Sequence, residues 1–125
     1  MRAEKEAPTS LVDLQKVVLD FRDRREWRRF HTPKDLALAI AVEAGELAET
    51  MLWKSPTEVA AGLGEPALRE RLADEMADVA IYLLYLAEAA GIDLTEAILG
   101  KVAKNEERYP VERSRGSAGK YTDWA

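Results

Sequence analysis

Thr32–Trp53, TPKDLALAIAVEAGELAETMLW, and Leu68–Leu86, LRERLADEMADVAIYLLYL, decide the fold. In each, apolar residues recur every three or four positions, the period of an α-helix with one buried face. At about 100° per residue, Leu36, Ile40, Glu43 and Leu47 fall within a stripe roughly 60° wide. Leu68, Leu72, Glu75, Val79 and Leu86 do the same. Glu43 and Glu75 therefore sit where an apolar side chain belongs. Glu46 and Asp78 follow three residues later, each about 60° round the helix from its partner. A short connection of this kind favours antiparallel neighbours, so the two acidic pairs can face each other.

Four carboxylates on apolar stripes pose a physical problem. An ionised carboxylate buried without a partner costs several kcal/mol, and four together repel one another. A divalent cation removes both costs, and hard oxygen ligands of this kind suit Mg²⁺, Mn²⁺ or Ca²⁺. A di-iron bundle would need Glu-x-x-His pairs, and no histidine follows Glu43 or Glu75 at that spacing. The competing reading puts the same acids on solvated helix edges or opposite arginines. One Glu-x-x-Glu is weak evidence for a site; two in-phase pairs on core stripes favour the metal.

Further helical segments flank this pair. Ser10 caps a helix carrying Leu11, Leu14, Val17, Val18 and Phe21, with Asp13 three residues after the cap. Thr32 caps the next, Pro33 fits its first turn, and the pattern runs to about Trp53. Ser55-Pro56 repeats that signature for one short turn; Gly62, Gly64 and Pro66 break it, and the third long helix ends near Gly91. Asp93 and Glu96 open the fourth, which stops by Pro110. No segment alternates as a strand does. The expected fold is all-α: a four-helix-bundle-like domain over residues 10–109 with one short extra helical turn. An N-terminal extension covers 1–9 and a loose tail covers 110–125.

Composition narrows the function classes. The chain has 125 residues, one domain's worth, with 47% hydrophobic and 33% charged residues, which suits a globular protein. It contains no cysteine, which excludes disulfides, zinc thiolates and cysteine nucleophiles. A net charge of −5 argues against binding a nucleic acid polymer. Arg22, Arg24, Arg25, Arg28 and Arg29 read as a solvated face with acids opposite. No apolar run approaches the roughly 18 residues that would span a membrane, and Met1–Pro8 is too polar for a signal peptide. The expected location is cytoplasmic.

The acidic motifs EAGELAE (Glu43–Glu49) and DEMADV (Asp74–Val79) resemble the paired Glu-x-x-Glu and Glu-x-x-Asp of the MazG-like all-α nucleoside triphosphate pyrophosphohydrolases. RREWRRFHTPKDLALAIAVEAGELAETMLWK and GIDLTEAILGKVAKNEERYPVERSRGSAGKYT are similar to the dCTP pyrophosphatase subgroup of that family. The likeness runs from about Leu11 to Thr122 and is weakest over Thr57–Pro66. It implies an Mg²⁺-dependent hydrolase, with Mn²⁺ as a substitute, that splits a nucleoside triphosphate into monophosphate and pyrophosphate. The implied substrate is dCTP or 5-modified dCTP, and the implied role is nucleotide-pool sanitation. Glu43, Glu46, Glu75 and Asp78 match the catalytic metal ligands. Trp27, His31 and Trp53 match the base pocket, with Trp53 stacked on the pyrimidine. Tyr82, Lys101, Asn105 and Tyr109 match groups near the sugar and phosphates, and Arg108, Lys120 and Tyr121 match further phosphate contacts. The resemblance also implies a homodimer or homotetramer whose pockets neighbouring subunits complete.

Each pocket residue has a structural reading beside the functional one. Trp27 could pack the first helix on the bundle, His31 could be an exposed residue before a cap, Trp53 a core lid, and Tyr82 core. Asn105 on a regular helix is harder to explain by structure alone. A same-fold enzyme for dUTP or phosphoribosyl-ATP, and a non-enzymatic cation-binding interaction bundle, are the alternative functions.

Overall fold

Side-chain caps start the helices. In the computed structural model, which describes residues 6–124, Ser10 Oγ accepts from the Asp13 amide and opens α1, Leu11–Asp23. Thr32 Oγ1 accepts from Asp35 and, with Pro33 at the first position, opens α2, Pro33–Glu49. Ser55 and Pro56 do the same for α3, Pro56–Gly62. Pro66 begins α4, Pro66–Ala90, and Asp93 Oδ1 caps α5, Leu94–Arg108. A four-residue α6, Val111–Ser114, follows, and 3₁₀ turns lie at Arg28–Phe30 and Tyr121–Asp123. Gly91 ends α4 at φ +67°, a left-handed conformation that costs other residues strain, and the Ile92 amide returns to the Ala87 carbonyl at 2.8 Å. No strand occurs among the described residues.

Three segments differ from the sequence reading. The Ser55-Pro56 signature starts a seven-residue helix rather than one turn, because half-buried Val59 and Leu63 give it an apolar side. α2 stops at Glu49 rather than near Trp53. Buried Thr50 turns its hydroxyl back onto the Leu47 carbonyl at 2.7 Å, and Trp53 takes φ +66°. The tail is not loose: the Tyr109 ring meets Tyr121 edge-on at 5.6 Å and Trp124 at 5.5 Å.

The chain forms two compact units, one ending at Ile92 and the other beginning at Asp93. In the first, α2 and α4 pack most extensively, and α1 also lies on α4. Contacts pair Gln15 with Leu84, Val18 with Tyr85, and Arg22 with Glu88, so α1 runs parallel to α4. Leu36, Leu68, Leu84, Tyr85 and Ala87 are buried between the helices. The buried side of α1 runs through Leu11, Gln15, Val18, Leu19 and Arg22. Leu14, Val17 and Phe21, the rest of its apolar stripe, are exposed. The second unit carries α5, α6 and the aromatic cluster, with Arg108 over the Tyr121 ring and Arg113 over Trp124.

Candidate active site

Helical periodicity brings the acids together. One carboxylate oxygen from each of Glu43 on α2 and Glu75 and Asp78 on α4 lies within 4.8 Å of the others. Glu43 Oε2 and Glu75 Oε2 are buried and find no hydrogen-bond partner. Burial, a hydrogen bond shared with Glu46, and the charges of Glu46, Asp78 and Glu75 push the Glu43 carboxyl up to about 7. Glu75 is raised too, by burial and by the charges of Glu46 and Asp78, with a hydrogen bond to Glu46 adding to them. Two orphaned oxygens and two acids reluctant to ionise mark a site short of positive charge.

The donor set fits a hard divalent cation. All candidates are carboxylate oxygens, with neither cysteine nor histidine among them. The three carboxylate oxygens, all within 4.8 Å of one another, are close enough for one divalent cation to gather them. Glu46 does not belong to that converging trio, but its charge helps raise the carboxyls of both Glu43 and Glu75.

Asp78 also lines a cavity of about 310 Å³ between α1 and α4. The other walls are Val17, Val18, Phe21, Trp27, Ile81, Tyr82 and Tyr85, so an apolar, aromatic chamber opens beside the acids. Left-handed Glu26, φ +54°, turns the chain after α1 and sets Trp27 edge-on to Phe21 at 5.9 Å. Tyr82 meets Tyr85 edge-on at 6.0 Å. His31 stays outside the lining, with its ring 4.9 Å from Tyr85 and 6.4 Å from Tyr82. Its Nδ1 is buried without a hydrogen-bond partner. Burial, and then the charge of Arg22, lower its pKa, which keeps the imidazole neutral at pH 7. A hollow of about 370 Å³ beside α3, lined by Lys54, Glu58 and Arg71 among others, holds no aromatic side chain.

The remaining expected residues are not among the side chains that line this cavity. Trp53 is 92% exposed, so it is no lid on this chain's core, and it does not line the cavity. Lys101 and Asn105 lie one turn apart on α5 and Tyr109 follows its end, all three in the second unit. Val17, Val18, Phe21, Ile81 and Tyr85 were not singled out as pocket residues from the sequence. For Val17, Val18 and Phe21 the signal is that α1 carries more apolar side chains than one helix face can bury; Ile81 and Tyr85 on α4 carry no such signal. The arginine cluster needs a correction. Arg24, Arg25, Arg28 and Arg29 are exposed, but Arg22 is 2% exposed and paired with Glu88 and Asp23.

The comparisons agree with this geometry. A model of the MazG-like family matches residues 38–124, which include both acidic pairs. The chain is 45% identical to dCTP pyrophosphatase 1 of Mus musculus over 114 residues, 91% of this chain and 67% of that protein. It is 40% identical to the Homo sapiens protein of the same name over 91% of this chain and 67% of that protein. A crystal structure of a pyrophosphatase from Archaeoglobus fulgidus superposes with a TM-score of 0.74 at 37% identity, covering 86% of this chain and 99% of that one. An all-α fold with facing acidic pairs and this degree of likeness places the chain in the MazG-like family. Within that family it is a nucleoside triphosphate pyrophosphatase, which sets aside the non-enzymatic interaction bundle.

Proposed function

We propose that this pyrophosphatase acts on dCTP or a 5-substituted dCTP, with Mg²⁺ as its cation, in the cytoplasm, and clears such nucleotides from the DNA-precursor pool. One observation carries the reading. Asp78 belongs both to the acidic cluster with its unpartnered oxygens and to the wall of the aromatic cavity. The triphosphate and the base of one nucleotide can therefore occupy adjoining sites.

Glu43, Glu46, Glu75 and Asp78 would hold Mg²⁺, which supplies positive charge and Lewis acidity to a triphosphate that an acidic site would otherwise repel. Trp27, Tyr82 and Tyr85 receive the base. Water attacks the α-phosphorus, the bond to the β-phosphoryl oxygen breaks, and monophosphate and pyrophosphate separate. Glu46 and Glu49 are the groups on α2 suited to take the proton from that water. By the family resemblance Lys101, Asn105 and Tyr109 contact the sugar and phosphates and Trp53 stacks on the base, and since none of the four lines this chain's cavity, a neighbouring copy supplies them. A cavity of about 310 Å³ has room for one nucleobase, and the preference for cytosine rests on the likeness to the dCTP pyrophosphatases. The test is a panel of dCTP, 5-methyl-dCTP, dUTP, dATP and phosphoribosyl-ATP, with and without Mg²⁺, read as pyrophosphate release. Preference for dUTP, phosphoribosyl-ATP or dATP would reassign the substrate, and turnover in chelator would remove the metal.

The working form is a homodimer or homotetramer. Leu38 and Val42 on α2 are 58% and 60% exposed, and Trp53 stands clear of its own chain. Leu38 and Val42, one turn apart on the same face of α2, suit cover by a second copy. A fully active species of about 14.0 kDa in light scattering would overturn this.

A further inference from the structure

We infer that Arg22 is a positioning residue for the base cavity: its buried guanidinium clamps α1 to α4 through Glu88 and so holds the Tyr85 wall and the His31 ring beside it. The inference rests on reading that cavity as the base site.

Arg22 is 2% exposed, which is rare for an arginine and costly unless its donors are satisfied. They are. Nη1 donates to Glu88 Oε2 at 2.8 Å, and Nε and Nη2 reach Asp23 Oδ1 at 2.9 and 2.8 Å. Burial disfavours the charge, but hydrogen bonds to Glu88 and Asp23 outweigh it and move the guanidinium pKa upward. Asp23 is the next residue along the chain and joins no two elements. Glu88 does. Its second oxygen lies 3.6 Å from Arg28 in the 3₁₀ turn, so one carboxylate on α4 gathers α1 and the turn between Trp27 and His31. Tyr85 donates to the Val18 carbonyl at 3.1 Å, one turn before the Arg22–Glu88 pair on both helices. The guanidinium lies 5.9 Å from the Tyr85 ring, which also meets the rings of His31 and Tyr82. Stability alone does not call for such a pair, since a well-packed apolar pair commonly serves as well or better. A forked, charged tie restricts the helix register and ring orientation in a way apolar packing does not.

Two readouts on the full chain test this. His31 is the only histidine, so its ring resonances in NMR are unambiguous and report the ring currents of Tyr85 and Tyr82. Arg22→Met should move those resonances toward their solvent values. It should also raise KM for dCTP about three- to tenfold with kcat within about twofold, the signature of lost binding rather than lost chemistry. Arg22→Lys, which keeps the charge without the fork, should recover part of both effects. Exposed Arg24→Ala should leave both unchanged. A lower melting temperature with unaltered His31 resonances and KM would make Arg22 merely structural and overturn the inference. Should Arg22→Met fail to fold, Glu88→Gln supplies the same comparison, because it keeps the side-chain shape and removes the charge. If the parent chain turns over no dCTP, the base-site reading falls, while the His31 resonances still decide whether Arg22 holds this wall.

Discussion

Replacing Glu43 with glutamine should stabilise the metal-free protein above neutral pH while ending its hydrolysis. The Glu43 carboxyl rises from an ordinary 4.5 to about 7 in the folded chain. Between those values the folded state binds the proton and the unfolded state has lost it. Stability is therefore full at low pH and is lost as pH rises from about 4.5 through 7. At 1.36 kcal/mol per tenfold, a rise from 4.5 to about 7 converts to roughly 3 kcal/mol. Glu43 is only half-buried, so screening by solvent reduces this to about 1–2 kcal/mol. For a chain of this length that is a melting-temperature difference of about 3–8 °C. Glutamine copies the protonated carboxyl and does not titrate. Melting curves in chelator should therefore nearly coincide for parent and Glu43→Gln at pH 4.5 and separate by that amount at pH 8, the variant being higher. Mg²⁺ at pH 8 should raise the parent and leave the variant unmoved, since only the parent keeps the full ligand set. Parallel profiles across the whole range, or a variant that melts below the parent at pH 8, would refute the account of these acids as a charge-starved cluster.

Three further outcomes are expected. Glu75→Gln should end Mg²⁺-dependent pyrophosphate release with the helical circular-dichroism spectrum intact; near-parental turnover would remove Glu75 from the site. Trp53→Ala should raise KM for dCTP by about fivefold or more and change kcat much less, because base stacking on a ring contributes about 1–3 kcal/mol; an unchanged KM would dissociate Trp53 from the base. Gly91→Ala should lower stability by about 1 kcal/mol, since a side chain there must hold φ near +67° to end α4, with kinetics unaltered; an unchanged melting temperature would show that the turn relaxes freely.

The helices and their starts were legible in the sequence because caps act within a single turn. Ser10, Thr32, Ser55 and Asp93 each accept from an amide three residues on. The acidic cluster was legible for a related reason. Two carboxylates placed in phase with apolar stripes must face whatever those stripes face, and α2 and α4 face each other.

Contacts between residues far apart in the chain were not legible. Periodicity says that α1 has an apolar side; it does not say which half α4 covers. Tyr85 and Glu88 decide that, 67 and 66 residues from the groups they bind. Tyr85 seeks an acceptor at Val18 and Glu88 a cation at Arg22, so an arginine turns inward while Phe21 is left 41% exposed at a cavity wall. Trp53 was equally undetermined, since its type suits a core as well as a ligand. A left-handed backbone and the early end of α2 turn it outward. Helix starts and the charge the helices carry follow from residue order, because both are set by neighbours a turn away. Which faces close, and what lines the cavity between α1 and α4, follow from packing across the chain, because a buried donor or acceptor must find its partner wherever the fold delivers one.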